Sequence, residues 1–283
     1  HIMKKILLTI FCLGAIGFSN AQIKTPQPSP FTKVEQKVGL TDVTLEYSRP
    51  GVKGRTVFGD LVPFNKLWRT GANKNSIITF SDDVKIAGND VKAGSYSIFV
   101  KPTAAKWEVS FYNDTNNWGT PEKWDDSKVV AKASVDVKKT TELVESFTMA
   151  INHLKNDSAV MNIVWENSSV SVPFSVPTDK NAVASIEKAM AGASAGDYFS
   201  AARYYLEGNK DMDKAKSWID KAVEMTNDKP RYWYLRQQSL IYAKMGSKKE
   251  AISIANNSMK LAEKAGNADY VKMNKDSVNK WTK

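Results

Sequence analysis

Between Asp42 and Tyr47 the chain reads DVTLEY, with Val43, Leu45 and Tyr47 alternating against Thr44 and Glu46. The same period of two returns in SIITFS, SYSIFVK and KWEVSFY, and later in KVVAKASVDV, ESFTMAINHL, AVMNIVWE and SVSVPFSV. Turn-forming pieces such as AGND and KAGS separate these runs. Alternation bounded by Gly, Asn, Asp and Pro predicts strands with one buried face and one wet face. About nine such strands in ~145 residues, with no helical run long enough for parallel crossovers, predict an antiparallel β-sandwich or jelly-roll-like domain over residues 31–176.

At PFSVPTDKNA the period changes. Pro173 and Pro177 end the last strand, and Thr178 or Asp179 is placed to cap a helix. DKAKSWIDKAV puts Ala215, Trp218, Ile219 and Ala222 on one helical face. SKKEAISIANNSMKLAEKAG opens with Ser247 and Glu250 at the spacing of a capping box. Gly208, Gly246 and Gly266 fall where helices should stop. Ala215-x3-Ile219-x2-Ala222 recurs as Ala251-x3-Ala255-x2-Ser258, 36 residues on. Each copy follows an aromatic-rich helix, YFSAARYYLE or RYWYLRQQSLIYAKM. The pattern resembles tetratricopeptide repeats, whose period is ~34 residues and whose small residues sit where helices cross. Tyr242 matches that pattern; Gln238 and Ser239 depart from it. The expectation is an all-α domain over 177–283 that meets a protein partner. Its last helix, carrying Tyr270, Val271, Val278 and Trp281, would serve as a cap.

Ahead of the strands, MKKILLTIFCLGAIGFSNAQ begins at Met3, behind His1 and Ile2, which read as non-native. Lys4 and Lys5, the apolar run Ile6 to Phe18, and small residues Ser19 and Ala21 before Gln22 predict a signal peptide over 1–21. The apolar run is short of the ~20 residues that span a bilayer, so no transmembrane segment is expected after cleavage. The single cysteine, Cys12, lies in this leader behind Phe11, so neither lipidation nor a disulfide is expected. QIKTPQPSP, residues 22–30, reads as a Pro-rich extended arm. The net charge of +10 falls to +8 without Lys4 and Lys5. With a pI near 9.4 this raises nucleic-acid binding. The lysines are interleaved with acids along the whole chain, as on a solvated surface, so no nucleic-acid partner is expected. The predicted location is periplasmic or secreted.

The stretch from Ser48 to Asn73, SRPGVKGRTVFGDLVPFNKLWRTGAN, holds three of the chain's six arginines. It is too long for an ordinary connection, and loops of this length are functional or tied down by their own side chains. Pro50–Gly51 predicts a turn. Phe58, Leu61, Phe64, Leu67 and Trp68 recur at three- and four-residue spacing, which predicts a tether and a short helical turn near Phe64–Trp68. A guanidinium is a planar fork that fits a carboxylate or phosphate with two hydrogen bonds. Two readings follow. The arginines hold an anionic or glycan ligand beside Trp68, or they pair with Asp60, Glu46 or backbone carbonyls and lock the loop. The candidate ligand set is Arg49, Arg55, Asp60, Trp68, Arg69 and Asn73. Within it Arg49, at a strand end, is the more structural and Arg69 the more exposed. Trp118 and Trp124, in the polar NDTNNWGTPEKWDDS, are candidates for stacking on sugar rings; Trp107 and Trp165 belong to strands and to the core.

His153 is the sole histidine after the leader, and no G-x-S-x-G elbow accompanies it. It reads as a strand-end residue. No cofactor and no metal are expected, because zinc and copper ligand sets are missing and SDDVKIAGND and WDDSK lack calcium-loop spacing. No catalytic residue is assigned. The alternative function is a hydrolase of an envelope glycan or peptide, with a pair drawn from Asp60, Glu108, Asp125 and Glu166.

The stretch from Ser48, with GSYSIFVKP, IVWENSSVSVPF and YVKMNKDSV, resembles a family of exported bacterial proteins of unknown function, over nearly the whole chain after the leader. The resemblance implies an envelope location and a β-rich domain followed by tetratricopeptide-like helices. It implies no activity. The expectation is a cofactor-free exported protein acting by binding, with a ligand or partner site on the β domain and protein contacts through the helices.

Overall fold

The computed structural model describes residues 25–283. The predicted leader and its cleavage point lie outside the described residues. The chain divides after Val176 into a β unit and a helical unit.

Among the described residues the β unit has ten strands: β1 (Phe31–Val38), β2 (Thr41–Ser48), β3 (Ala72–Phe80), β4 (Val84–Ile86), β5 (Asn89–Val91), β6 (Gly94–Pro102), β7 (Lys106–Tyr112), β8 (Val129–Asp136), β9 (Lys138–Asn152) and β10 (Ser158–Ser175). They form two antiparallel sheets, one ordered β1-β2-β3-β6-β7-β8 and one ordered β5-β4-β10-β9. The alternation seen in the sequence sends Val43, Leu45, Ile98, Val100 and Trp107 from the larger sheet into one core. Phe147, Met149, Ile163, Trp165 and Val172 of the smaller sheet meet them there. This is the β-sandwich that the period of two predicts. AVMNIVWE and SVSVPFSV are not two strands but one, β10, because pairing with β9 continues through a bulge at Glu166. The edge strand β1 escapes the sequence reading because its half-buried face, Thr32, Val34 and Gln36, carries little apolar signal. The hairpin β4–β5 escapes it because each strand has three residues.

The other face of the large sheet is covered too. Phe99 and Tyr112 turn away from the sandwich core, and Trp124 stacks on Tyr112 at 4.6 Å while meeting Phe99 edge-on. Trp124 is therefore packing material of the segment between β7 and β8, not an open platform. Trp118 of the same segment is 75% exposed. Tyr47 ties the two sheets together: its hydroxyl donates to Met149 O at 2.8 Å and accepts from Met149 N at 2.9 Å.

The helical unit holds α1 (Thr178–Ala189), α2 (Ala195–Glu207), α3 (Met212–Glu224), α4 (Tyr232–Lys244), α5 (Lys248–Lys264) and α6 (Ala268–Thr282). Ala215, Ile219, Ala222, Ala251, Ala255 and Ser258 are all fully buried. Ser258 fits this site because its Oγ donates to Tyr232 O of α4 and accepts from Asn274 Nδ2 of α6. Two expected caps are absent. Neither Thr178 nor Asp179 caps α1; the Asp179 carboxylate is taken by Lys210 and the Tyr204 hydroxyl. Ser247 makes no side-chain cap bond at α5. The capping box is at α2, between Ser194 and Asp197. No helix among the described residues is long and apolar enough to cross a membrane.

Two outcomes follow from these contacts. Tyr47→Phe leaves the buried Met149 N–H and C=O without their partner, and chemical denaturation should show a loss of about 1–3 kcal/mol. Hydrogen bonds from the Ser194 side chain and backbone hold the Asp197 carboxyl below its ordinary pKa. Its contribution is therefore present above the unfolded value of about 4 and fades as pH falls through the lower folded value. Circular dichroism during acid titration should show Asp197→Asn reducing helix stability at neutral pH and flattening its pH dependence below about pH 4.

Candidate functional site

The arginine-bearing stretch leaves β2 at Ser48 and returns at β3, and it crosses between the sheets as a strap. Its first part is fastened to the smaller sheet. Phe147 N donates to Pro50 O, Val52 N to Glu145 O, and Lys53 N to Glu145 Oε1. Val57 N and Phe58 N both donate to the Glu166 carboxylate, at 2.9 and 3.4 Å. Glu166 has φ +54 at the bulge of β10. A bulge re-aims the side chain it carries, and here the re-aimed carboxylate reaches the strap. The second part is fastened to the larger sheet. Asn65 N donates to Pro102 O, and Trp68 and Val100 exchange both backbone hydrogen bonds at 2.8 and 2.9 Å. The strap thus runs beside β6 where β3 has ended. Gly71 closes it at φ +134, where a Cβ would lie 3.1 Å from Ser48 O.

No helical turn forms near Phe64–Trp68. Asn65 sits at φ +62, and the pairing of Asn65 and Trp68 with β6 draws the backbone out of a helical path. Of the five apolar residues expected to tether the strap, Phe58 and Trp68 do so, while Leu61 and Phe64 are 44% and 37% exposed. The Trp68 ring stacks on Trp165 at 5.9 Å and 18°. It meets Phe58, Trp107 and Phe147 edge-on. Such aromatic pairs contribute about 0.5–1.5 kcal/mol each beyond burial.

A cavity of about 510 Å³ opens beside this anchor. Pro28 and Ser29 of the arm, Leu61, Val62, Pro63 and Leu67 of the strap, and Trp68 and Trp165 contribute to its wall. Lys53, Arg55, Lys66 and Arg69 line it too, with no aspartate or glutamate among the lining residues. Glu145 adjoins the wall at Gly51, where a Cβ would lie 2.9 Å from its Oε1, and that oxygen accepts from Lys53 N. Backbone alternation sends Trp68 into the core and Arg69 the other way, toward the segment between β7 and β8. Arg69 Nη1 lies 3.3 Å from the position a Cβ would take on Gly119. Arg69 Nε is buried and has no hydrogen-bond partner among the described residues.

The six candidates are not equivalent. Arg49 does not line the cavity; its Nε donates to Phe147 O at 2.9 Å and its Nη2 to Thr148 Oγ1 at 2.7 Å, pinning the strap to β9. Arg55 lines the cavity and is held by Val52 O and Gly51 O. Trp68 and Arg69 line it as described. Asn73 is beside it, donating to Ser29 O and Ser48 Oγ at 3.3 Å, so it secures the arm. Asp60 is exposed on the strap and is paired with none of the three arginines. Sequence reasoning missed Lys53, Lys66 and Thr120, because their role depends on where the strap and the 113–128 segment come to rest.

The carboxylates considered for hydrolysis are scattered. Glu108 pairs with Lys132 at 3.3 Å on the surface. Asp125 caps a short 3-10 helix. Glu166 holds the strap, and none of these three nor Asp60 lines the cavity. His153 follows the end of β9 at φ +51. Among the described residues no group of three or more His, Cys, Asp or Glu side chains could hold a metal ion.

An antiparallel two-sheet unit with a basic, apolar-walled cavity under a long strap, followed by a helical unit, is the class these observations define. Residues 29–174 match the family model described as protein of unknown function (DUF2911), and the chain belongs to that family. No curated protein and no solved structure matches the chain.

Two arginines of the strap, Arg49 and Arg69, should part company in denaturation experiments. Arg49→Lys loses the two-pronged attachment to β9 and should lower stability by about 1–3 kcal/mol. Arg69→Met removes a buried donor that has no partner, so its melt should fall at or above the parent's, within about 0.5 kcal/mol or better. A severe loss for Arg69→Met would mean that the guanidinium is a pin.

Proposed function

We propose that this is an exported protein, periplasmic or secreted, that acts by binding, and that the cavity under the strap is its site for an anionic organic ligand. The observation that carries this reading is the lining of the cavity, where Lys53, Arg55, Lys66 and Arg69 come together with no aspartate or glutamate among the lining residues. Cations gathered on one concave wall raise its potential and draw an anion to it. The cavity volume falls within the ~300–1,000 Å³ of small-molecule sites. The helices, with small residues buried at their crossings in a tetratricopeptide-like repeat, are the part that meets a protein partner. The rival hydrolase reading needs two carboxylates facing one bond, and the cavity wall supplies none.

The test is a titration followed by tryptophan fluorescence, since Trp68 and Trp165 line the cavity. Aryl carboxylates and phosphates should quench it saturably, and less so as salt rises. Arg69→Gln should weaken binding by about tenfold or more, the scale of one charge-assisted hydrogen bond. Turnover of ester, peptide or glycan substrates that a single carboxylate substitution abolishes would overturn the binding reading.

A further inference from the structure

The cavity wall carries two chemistries at once, and together they define the ligand more narrowly. The charged part is rich: Lys53, Arg55, Lys66 and Arg69 line the space, and Glu145 adjoins it at Gly51 with one oxygen held by Lys53 N. The two guanidiniums are prepared differently. Arg55 is fixed by Val52 O and Gly51 O, which take its Nε and Nη2. Its remaining edge is therefore preorganised, and a group so held loses little freedom on binding. Arg69 lines the same space, and its Nε is buried without a hydrogen-bond partner among the described residues. Like charges crowded on one concave wall raise its potential and favour a ligand with more than one negative charge.

The apolar part is equally specific. Leu61, Val62, Pro63 and Leu67 line the same cavity, and Leu61 is 44% exposed although it is large and apolar. An inorganic anion would leave this surface wet and most of the 510 Å³ unfilled. Covering it returns about 25 cal/mol for each Å² removed from water, available only to a ligand with a hydrocarbon body.

We infer, resting on the reading of this cavity as an anion site, that its ligand is a small amphiphile: a dianionic head seated between Arg69 and Arg55, and an aromatic or aliphatic body lying along Leu61, Val62 and Leu67. Phosphate monoesters and dicarboxylates share this chemistry.

Calorimetric titration of the full chain with five probes tests it: phenyl phosphate, phenylsuccinate, phenylacetate, benzyl alcohol and inorganic phosphate. Phenyl phosphate or phenylsuccinate should bind at least about tenfold more tightly than phenylacetate, inorganic phosphate and benzyl alcohol. The tighter of the two dianions assigns the source, ester or dicarboxylate, and either order supports the inference. Arg69→Gln should narrow the gap between dianion and monoanion. Leu67→Ala should weaken the aryl dianions several-fold and leave inorganic phosphate unchanged. Equal affinity for phenyl phosphate and inorganic phosphate, or for phenylacetate and the dianions, overturns the amphiphilic dianion and leaves the anion site standing. Binding by none of the anionic probes overturns the anion site itself.

Discussion

The Trp68 indole must lie between the two sheets, and the path of the strap follows from that requirement. Its ring faces Trp107 of the large sheet and Phe147 and Trp165 of the small one. A side chain of this size dominates the burial of any segment that carries it. To deliver it, the chain leaves β2, binds the small sheet, crosses the open end and lies along β6. The peptide groups met on that route find partners in turn: Glu145, Phe147 and Glu166 on one side, Val100 and Pro102 on the other. The cavity is the space that remains beside the anchor.

One consequence is a conflict between stability and chemistry at neighbouring positions. Trp68 is packed against four aromatic rings, while the Nε of its neighbour Arg69 is buried without a hydrogen-bond partner among the described residues. Lys53 and Lys66 are brought near it by the same strap, in a unit without a neutralising acid on the cavity wall. Repulsion among such charges disfavours the empty state. The core around Trp68 and the fastening of Arg49 supply the rigidity that holds the cations together.

The sandwich was legible because burial on one face writes a period of two into the strands, as in Val43, Leu45 and Tyr47. The helical unit was legible because Ala215, Ile219 and Ala222 are spaced for one face of a helix. What was not legible depends on partners distant in sequence. Glu166 looked like an acid available for chemistry, and only the bulge in β10 shows that it serves Val57 and Phe58. Ser247 had the spacing of a cap, yet spacing alone does not set the backbone angles that a cap requires. Arg49, at a strand end, does pin the strap to β9, but Arg69 is no more exposed than Arg49: both are half-buried, and the Nε of Arg69 is buried. Lys53 and Lys66 carried no signal, since a lysine in a loop is ordinarily solvated.

The fastening of the strap also sets an order of events during folding. Its contacts with Glu145, Phe147, Thr148 and Glu166 join residues 92 to 109 positions apart. Closing loops of that length is entropically unfavourable and slow, and the acceptors come into place only when β9 has paired with β10. The small-sheet end of the strap therefore cannot be fastened before that hairpin is present, whereas its other end needs only β6. During synthesis Arg49 to Thr70 emerge long before Glu145 and Glu166, and they wait without their anchors. The cavity, walled in part by Trp165 and by a strap fastened to Glu145 and Glu166, cannot be complete until the last strands of the β unit have been made.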